Sequence, residues 1–237
     1  MISQYLRLSL LALPMVLSGA PGRFPFQVGE HFVYDAKVNS INAGKANLSI
    51  ERLETVRGVG TMHAIFDVRG RILFKKFASH TESWFDTTNL ATMRLITKSD
   101  DLDKTYEFYP AKKVYIKNGD GIENPSVDEP IDEASFLFYL RTVPLEVGKT
   151  LTVDRYYHAL KNPITIRVDR REHVKVPAGE FDAFVLKPVI KSNGLFSVKS
   201  DAEVWIVDDR AHTVVKMRSK LPVGTLYLEL KTIEQPN

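Results

Sequence analysis

The sequence predicts a mainly β protein: a single curved, largely antiparallel β-roll or open barrel of about a dozen strands, with one short buried helix near 131–142. Three observations predict it. Apolar and polar residues alternate along most of the chain, which is the mark of strands with one buried face. Short joins rich in turn formers separate the runs, so neighbours are antiparallel. One segment, Asp128 to Gly148, abandons the alternation for an apolar stretch of helical length.

Taken in order, the first run buries Phe32, Tyr34, Ala36 and Val38 and exposes His31, Asp35, Lys37 and Asn39, with Val33 out of step. The second sets Ala46, Leu48 and Ile50 against Lys45, Asn47, Ser49 and Glu51. The third sets Met62, Ala64, Phe66 and Val68 against Thr61, His63, Asp67 and Arg69. Further runs fall at 80–87, 91–99, 103–109 and 112–117, then at 150–158, 163–176, 182–191, 197–207, 212–219 and 223–233. Asn193-Gly194 is the strongest short hairpin signal in the chain. In "VPAGEFDAFVLKPVI" Pro177 fixes φ and Gly179 relaxes the backbone, so the chain is expected to reverse at Ala178-Gly179. Phe181, Phe184 and Leu186 would then lie on the sheet. Trp205 and the Asp208-Asp209 turn read as architecture in the same way.

The exception, "DEPIDEASFLFYLRTVPLEVG", opens with acids and Pro130 and stops before Pro144. Early acids and a late Arg141 suit a helix dipole, and an Asp or Ser can cap the start. Phe136 to Leu140 would cover nearly the whole circumference, so the helix must be largely buried. It reads as a plug across one open end or face of the sheet.

Residues 1–22 read as an export signal. Arg7 precedes an apolar run from Leu8 to Leu17, and Ser18, Gly19 and Ala20 make a small-residue exit. The run is short for a span, so no transmembrane segment is expected after cleavage. The domain reading is therefore 1–22 signal peptide and 23–237 one β-roll domain. The 237-residue chain has no cysteine, which suits an envelope protein that avoids oxidative mispairing and leaves stability to the core. A periplasmic or envelope location follows.

Composition and motifs narrow the function. A net charge of +3 with no basic cluster longer than a pair argues against nucleic acid. The six histidines, His31, His63, His80, His158, His173 and His212, are scattered singly, so they read as solvated side chains and not as metal ligands. Asp100, Asp101 and Asp103 lack the glycine and final Glu of a calcium loop and read as a hairpin tip. There is no thiol, no G-x-S-x-G and no phosphate-binding glycine motif, so no catalytic, cofactor or metal residue is assigned. The acidic run Asp120, Glu123, Asp128, Glu129, Asp132 and Glu133 is either a docking loop for a basic partner or a solvated lead into the helix. In "RGRILFKKFASH", Ile72, Leu73, Phe74 and Phe77 surround Lys75 and Lys76; burial at a strand end competes with contact to lipid or a partner.

Five blocks in order carry a family resemblance: "FQVGEHFVYDAKVNSINAGKANLSI", "HTESWFDTTNLATMRL", "DEASFLFYLRTVPLEVGKTL", "VPAGEFDAFVLKP" and "AEVWIVDDRAHTVVKMRSKLPVGTLYLEL". From about Phe26 to Ile233 the chain resembles the DUF3108 family of exported bacterial proteins. The resemblance implies a curved antiparallel β-roll in the bacterial envelope and supplies no catalytic residues. The leading functional expectation is a non-catalytic envelope protein holding an apolar or amphipathic molecule, a lipid or a lipoprotein, in its concave face. The alternative is an interaction or assembly factor that uses a sheet edge or the acidic loop. A hydrolase stands third.

Overall fold

The computed structural model describes residues 23–72, 75–192, 195–222 and 224–234. The expected signal at 1–22, the Leu73-Phe74 pair and the Asn193-Gly194 turn therefore lie outside the described residues. From the N-terminus run β1 (His31–Val38), β2 (Ile41–Val56), β3 (Val59–Ile72), β4 (Lys75–Asp86), β5 (Thr92–Ser99), β6 (Leu102–Tyr109), β7 (Val114–Lys117) and β8 (Asn124–Pro125). Helix α1 (Glu133–Leu140) follows. Then come β9 (Thr150–Val153), β10 (Ile164–Val176), β11 (Gly179–Val189), β12 (Glu203–Val207), β13 (Val214–Leu221) and β14 (Gly224–Glu234).

These strands form one antiparallel sheet in the order β8-β7-β6-β5-β4-β3-β2-β1-β14-β13-β12-β11-β10-β9. The chain thus starts in the middle, meanders to one edge, crosses through α1 to the other edge, and meanders back until β14 pairs with β1. Side-chain alternation explains the curl. Phe32, Tyr34, Ala36 and Val38 are all buried on one face of β1, as are Ala46, Leu48 and Ile50 on β2, while the residues between them lie on the opposite, more polar face. A sheet with one long apolar face lowers its free energy by bending until that face covers itself. Close backbone approach helps at one point. Gly44 faces Gly70 across β2 and β3, and a Cβ on Gly70 would sit 2.2 Å from the Ala43 carbonyl and 2.5 Å from the Phe77 ring.

Several expected boundaries move. Fourteen strands are described against the dozen or so expected; the one with no corresponding run in the sequence is β8, two residues long and too short to show a period. Of "RGRILFKKFASH", Arg69 to Ile72 belong to β3 and Lys75 to His80 to β4, with Ile72 paired to Lys75 and half-buried Phe77 lying against Gly70, so β4 begins earlier than residue 80. The run expected at 197–207 is a strand only from Glu203. Residues 195–202 carry a one-turn 3-10 helix and no strand, since β11 pairs with β12 through Ala183↔Val207 to Leu186↔Val204 and leaves that stretch outside the ladder. The β10–β11 reversal falls one residue early, at Pro177-Ala178: Val176 pairs with Gly179, whose φ of 143° makes it the first strand residue. Asp100-Asp101 form the β5–β6 tip. Trp205 lies on the outer face. Its indole N–H donates to Glu172 (2.6 Å) while Arg170 and Lys216 cover the ring, which ties β10, β12 and β13 together.

The helix lies in the concave face, and its two ends are fastened differently. At the start, Asp132 caps it: Oδ1 accepts from the backbone N–H of Ala134 and Ser135, and Ser135 Oγ accepts from the Asp132 N–H. Asp132 Oδ2 also accepts from Ser83 (2.5 Å) on β4 and Thr92 (2.7 Å) on β5, so the cap is also the anchor to the sheet. At the other end the Arg141 guanidinium is 1% exposed and meets Glu30, 3% exposed, at 2.7 Å. It donates as well to the carbonyls of Pro25 (3.0 Å) and Ala211 (2.8 Å), and packs between the Phe26 and Phe32 rings. Asp209 accepts from the N–H groups of Ala211 and His212, which aims the Ala211 carbonyl at Arg141. Between these anchors Phe136, Leu137, Phe138 and Leu140 pack into the sheet's apolar face. Eight residues would not hold a helix alone in water, so tertiary contacts maintain it.

Removing one partner of a buried, fully bonded ion pair strands the other charge. Arg141→Met is expected to cost about 3–5 kcal/mol. The double variant Glu30→Leu/Arg141→Met should recover part of the loss, and urea unfolding midpoints compare the two.

Candidate functional site

The two edges of the sheet, β8 and β9, meet at a seam that no strand ladder closes. The reason is local. β8 ends at Pro125, which has no N–H to donate, and Pro130 follows five residues on. Irregular chain bridges the gap instead. The Ile131 N–H donates to the Arg155 carbonyl at 2.7 Å, and the Tyr157 N–H donates to the Ile131 carbonyl at 3.1 Å. Arg155 reaches across the seam to the carbonyls of Asn89 (2.6 Å) and Glu129 (3.0 Å) and lies over the Tyr139 ring. Inside the seam Tyr157 meets Phe108 and Tyr115 edge-on at 5.6 Å, closing the apolar layer that the ladder leaves open.

Beneath them, Tyr156 donates to the Glu133 carboxylate at 2.5 Å. Burial pushes the Glu133 carboxyl above the usual range, with the neighbouring Asp132 charge adding to it and the Tyr156 hydrogen bond opposing it. Burial raises both Tyr156 and Tyr157 as well, so both remain neutral donors.

On the outside of the seam lies a cleft of about 450 Å³ lined by Lys113, Ser126, Val127, Asp128, Glu129, Asp154 and Arg155. Lys113 pairs with Asp128 at 2.8 Å and Arg155 with Glu129 at 3.6 Å. Asp154 has no ion-pair or hydrogen-bond partner among the described residues, so the cleft carries one uncompensated negative charge. Asp154 and Arg155 directly follow β9, which among the described residues pairs only with β10, so its other side is an open strand edge beside the cleft.

The acidic run of the sequence is divided between two roles. Glu123, Asp128 and Glu129 face outward and pair with Lys112, Lys113 and Arg155 at the rim, whereas Asp132 and Glu133 turn inward to hold the helix. The buried hydroxyls of Ser83, Thr92 and Ser135 converge on Asp132, and no histidine joins them. The expectation that the histidines are solvated fits exposed His173 and is corrected at His63, His80 and His212. His63 is 2% exposed, stacked 4.1 Å from Trp84, with Nε2 2.8 Å from Glu82. His80 sits between Asp67 (2.7 Å) and Glu82 (3.0 Å). His212 Nδ1 lies 2.7 Å from the Arg141 carbonyl, and His31 and His173 contact carboxylates. Antiparallel register puts distant residues side by side, and spacing along the chain does not reveal it. Among the described residues no group of three or more His, Asp or Glu is arranged to hold a metal ion.

An open antiparallel sheet, curled around a plugging helix and closed at its seam by irregular chain, defines a barrel-like β protein. Residues 33–231 match the family described as protein of unknown function DUF3108, and the chain belongs to that family. No curated protein matches the chain. Among solved structures it is similar to a β-barrel-like protein of the DUF1849 domain family from Brucella abortus, at 9% identity and a TM-score of 0.51 over 86% of this chain and 96% of that one. It overlaps more weakly with a protein of YmcC-like fold from Bacteroides fragilis, provisionally described as exported (14% identity, TM-score 0.34, 90% of this chain and 98% of that one). A protein from Parabacteroides distasonis provisionally described as a lipoprotein gives 14% identity and 0.30, over 89% and 97%. The first likeness supports the fold; the others are too loose to support more.

Glu133→Gln keeps an acceptor for Tyr156 and removes the buried charge. Because the folded state holds this proton more tightly than the unfolded chain, Glu133 costs stability as pH rises above the ordinary carboxyl value of 4.5. The variant should therefore melt higher than wild type at pH 7–8 and converge with it near pH 4, in a thermal melting series.

Proposed function

We propose that this protein is a non-catalytic component of the bacterial envelope that binds an extended, Lys- or Arg-bearing segment of a partner protein along the seam cleft. The observation that carries the reading is the pairing of a concave face occupied by a helix with an open edge. The concave face is occupied by α1, whose Phe136, Phe138 and Leu140 are wholly buried. An apolar hollow against that face, lined by Leu195, Phe196, Met217, Leu226 and Leu228 among others, holds about 10 Å³. That is room for about one water, whereas small-molecule sites run to roughly 300–1,000 Å³. By contrast, the open side of β9 can add a strand by main-chain pairing, and Asp154 can take a basic side chain of that strand. The export pattern of residues 1–22 and the absence of cysteine support the envelope location.

A lipid or lipoprotein chain in the concave face is the second reading. The one-sided apolar lining of the sheet favours it, and it requires α1 to leave.

A photo-crosslinking residue at Thr152 or Val127, introduced in the producing cell, separates the readings. A discrete protein adduct from both positions, lost several-fold on Asp154→Lys and absent from a probe at solvent-exposed Leu53 on β2, is the expected result. No seam adduct, or one indifferent to Asp154→Lys, overturns the proposal; co-purifying lipid in native mass spectra would then favour the second reading.

A further inference from the structure

On the sheet face turned away from α1, five ionisable side chains from three strands form a continuous line. Glu54 stands on β2, His63 and Asp67 on β3, and Glu82 and His80 on β4, where the pairs His63↔Trp84, Ile65↔Glu82 and Asp67↔His80 put them on one face. The contacts run in sequence. His63 Nδ1 lies 4.0 Å from Glu54 Oε1, and His63 Nε2 lies 2.8 Å from Glu82 Oε2. His80 Nε2 lies 3.0 Å from the other oxygen of Glu82, and His80 Nδ1 lies 2.7 Å from Asp67 Oδ1. Trp84 stacks on the His63 ring at 5° and donates its indole N–H to Glu54, fixing both ends of that link.

We propose that this line is a two-proton binding site that clasps β2, β3 and β4 when His63 and His80 are both imidazolium. The argument is one of donor count. An ionised carboxylate only accepts hydrogen bonds, and a neutral imidazole has a single N–H. His80, with a carboxylate at each nitrogen, is satisfied only when both nitrogens carry protons. His63 is in the same position with one link unmade: Nε2 serves Glu82, and buried Nδ1 has no hydrogen-bond partner while it faces Glu54. A second proton would convert this lone pair against a carboxylate into a charge-assisted hydrogen bond. The five groups would then alternate in sign from Glu54 to Asp67.

The other charges facing the line do not replace those protons. Arg52 on β2 is engaged with Glu54, and Arg69 on β3 stands 3.9 Å from Asp67 with its side chain largely in water. Arg94 on β5 lies over Trp84 and is committed to Glu107 on β6, and Lys98 on β5 is opposite His80 in register with Asp103 on its far side.

The pH dependence follows in sign. Burial opposes the charge on His80, but its hydrogen bonds to Asp67 and Glu82 prevail and hold it above the ordinary 6.5. Its stabilisation is complete below pH 6.5 and disappears as pH rises through the elevated value. The Trp84 hydrogen bond holds Glu54 below 4.5, and the two histidines bring Glu82 below it against the effect of burial. Their stabilisation is complete above pH 4.5 and is lost as pH falls through the lowered values. The clasp is therefore tightest between about pH 4.5 and 6.5, the interval in which all of these contributions are present.

Trp205→Phe leaves Trp84 as the chain's one tryptophan and a reporter stacked on the site. In that background Trp84 emission should fall in a sigmoidal step as pH is lowered across roughly 8 to 5, the span in which histidine titrates. His63→Gln in the same background should abolish the step, with folding checked by far-UV circular dichroism. Histidine ring proton shifts of the wild type give a readout independent of any variant, and His63 and His80 should titrate together. A flat emission profile, a step that survives His63→Gln, or ring shifts that leave either histidine neutral at pH 5 overturns the proposal.

Discussion

The buried contact between Arg141 and Glu30 is the constraint on which the rest of the interior depends. An arginine lowered into a protein core needs every donor satisfied, and here one side chain draws together the segment before β1, the end of α1 and the β12–β13 turn. Asp132 does the corresponding work at the other end of the helix, where one carboxylate serves two backbone N–H groups and two hydroxyls from β4 and β5. An eight-residue helix held at both termini by buried polar contacts has one defined seat for its phenylalanines. Those contacts matter because apolar contacts alone are non-directional and would tolerate several seats for so short a rod.

With the helix seated, the two halves of the sheet have only one way to meet. The meander that ends at β8 and the one that begins at β9 are joined through α1, so the helix brings the edges face to face. Pro125 and the shortness of β8 deny them a ladder. Closure falls to Ile131, Arg155 and a cluster of tyrosines, leaving a polar cleft over an apolar floor. Natural sheets usually cover or blunt their edges, because an unpaired strand is a template for another chain. An open β9 beside an unpaired Asp154 offers main-chain groups and a carboxylate to an added strand, and this is why the seam is read as a docking place.

The outer face shows a second organising rule. Two tryptophans, Trp84 and Trp205, lie flat on the solvent side of the sheet, and each gives its indole N–H to a glutamate two strands away, Glu54 or Glu172. Each is roofed by an arginine, Arg94 or Arg170. Both rings are thereby buried on the outer face, Trp84 together with Val56 and Met93, and each ties three strands of the curl across that surface. The carboxylates gathered around Trp84 are then close enough to organise His63 and His80.

Sequence by itself determined the elements. The alternation through Phe32, Tyr34 and Ala36, and through Ala46, Leu48 and Ile50, marked strands and the face they bury, because a strand's side-chain period is a local property of the backbone. The acids before Ser135 and the apolar run after it marked a buried, capped helix for the same reason. What only the tertiary structure decided depends on register. Nothing in the spacing of Glu30 and Arg141, of Ser83, Thr92 and Asp132, or of His63, Glu82 and His80 shows that they touch, since each contact joins strands or segments whose alignment is set by the whole sheet. The seam was hidden for the same reason: an edge is a strand lacking a neighbour, and neighbours are assigned only when the sheet has curled and the helix has chosen its place inside.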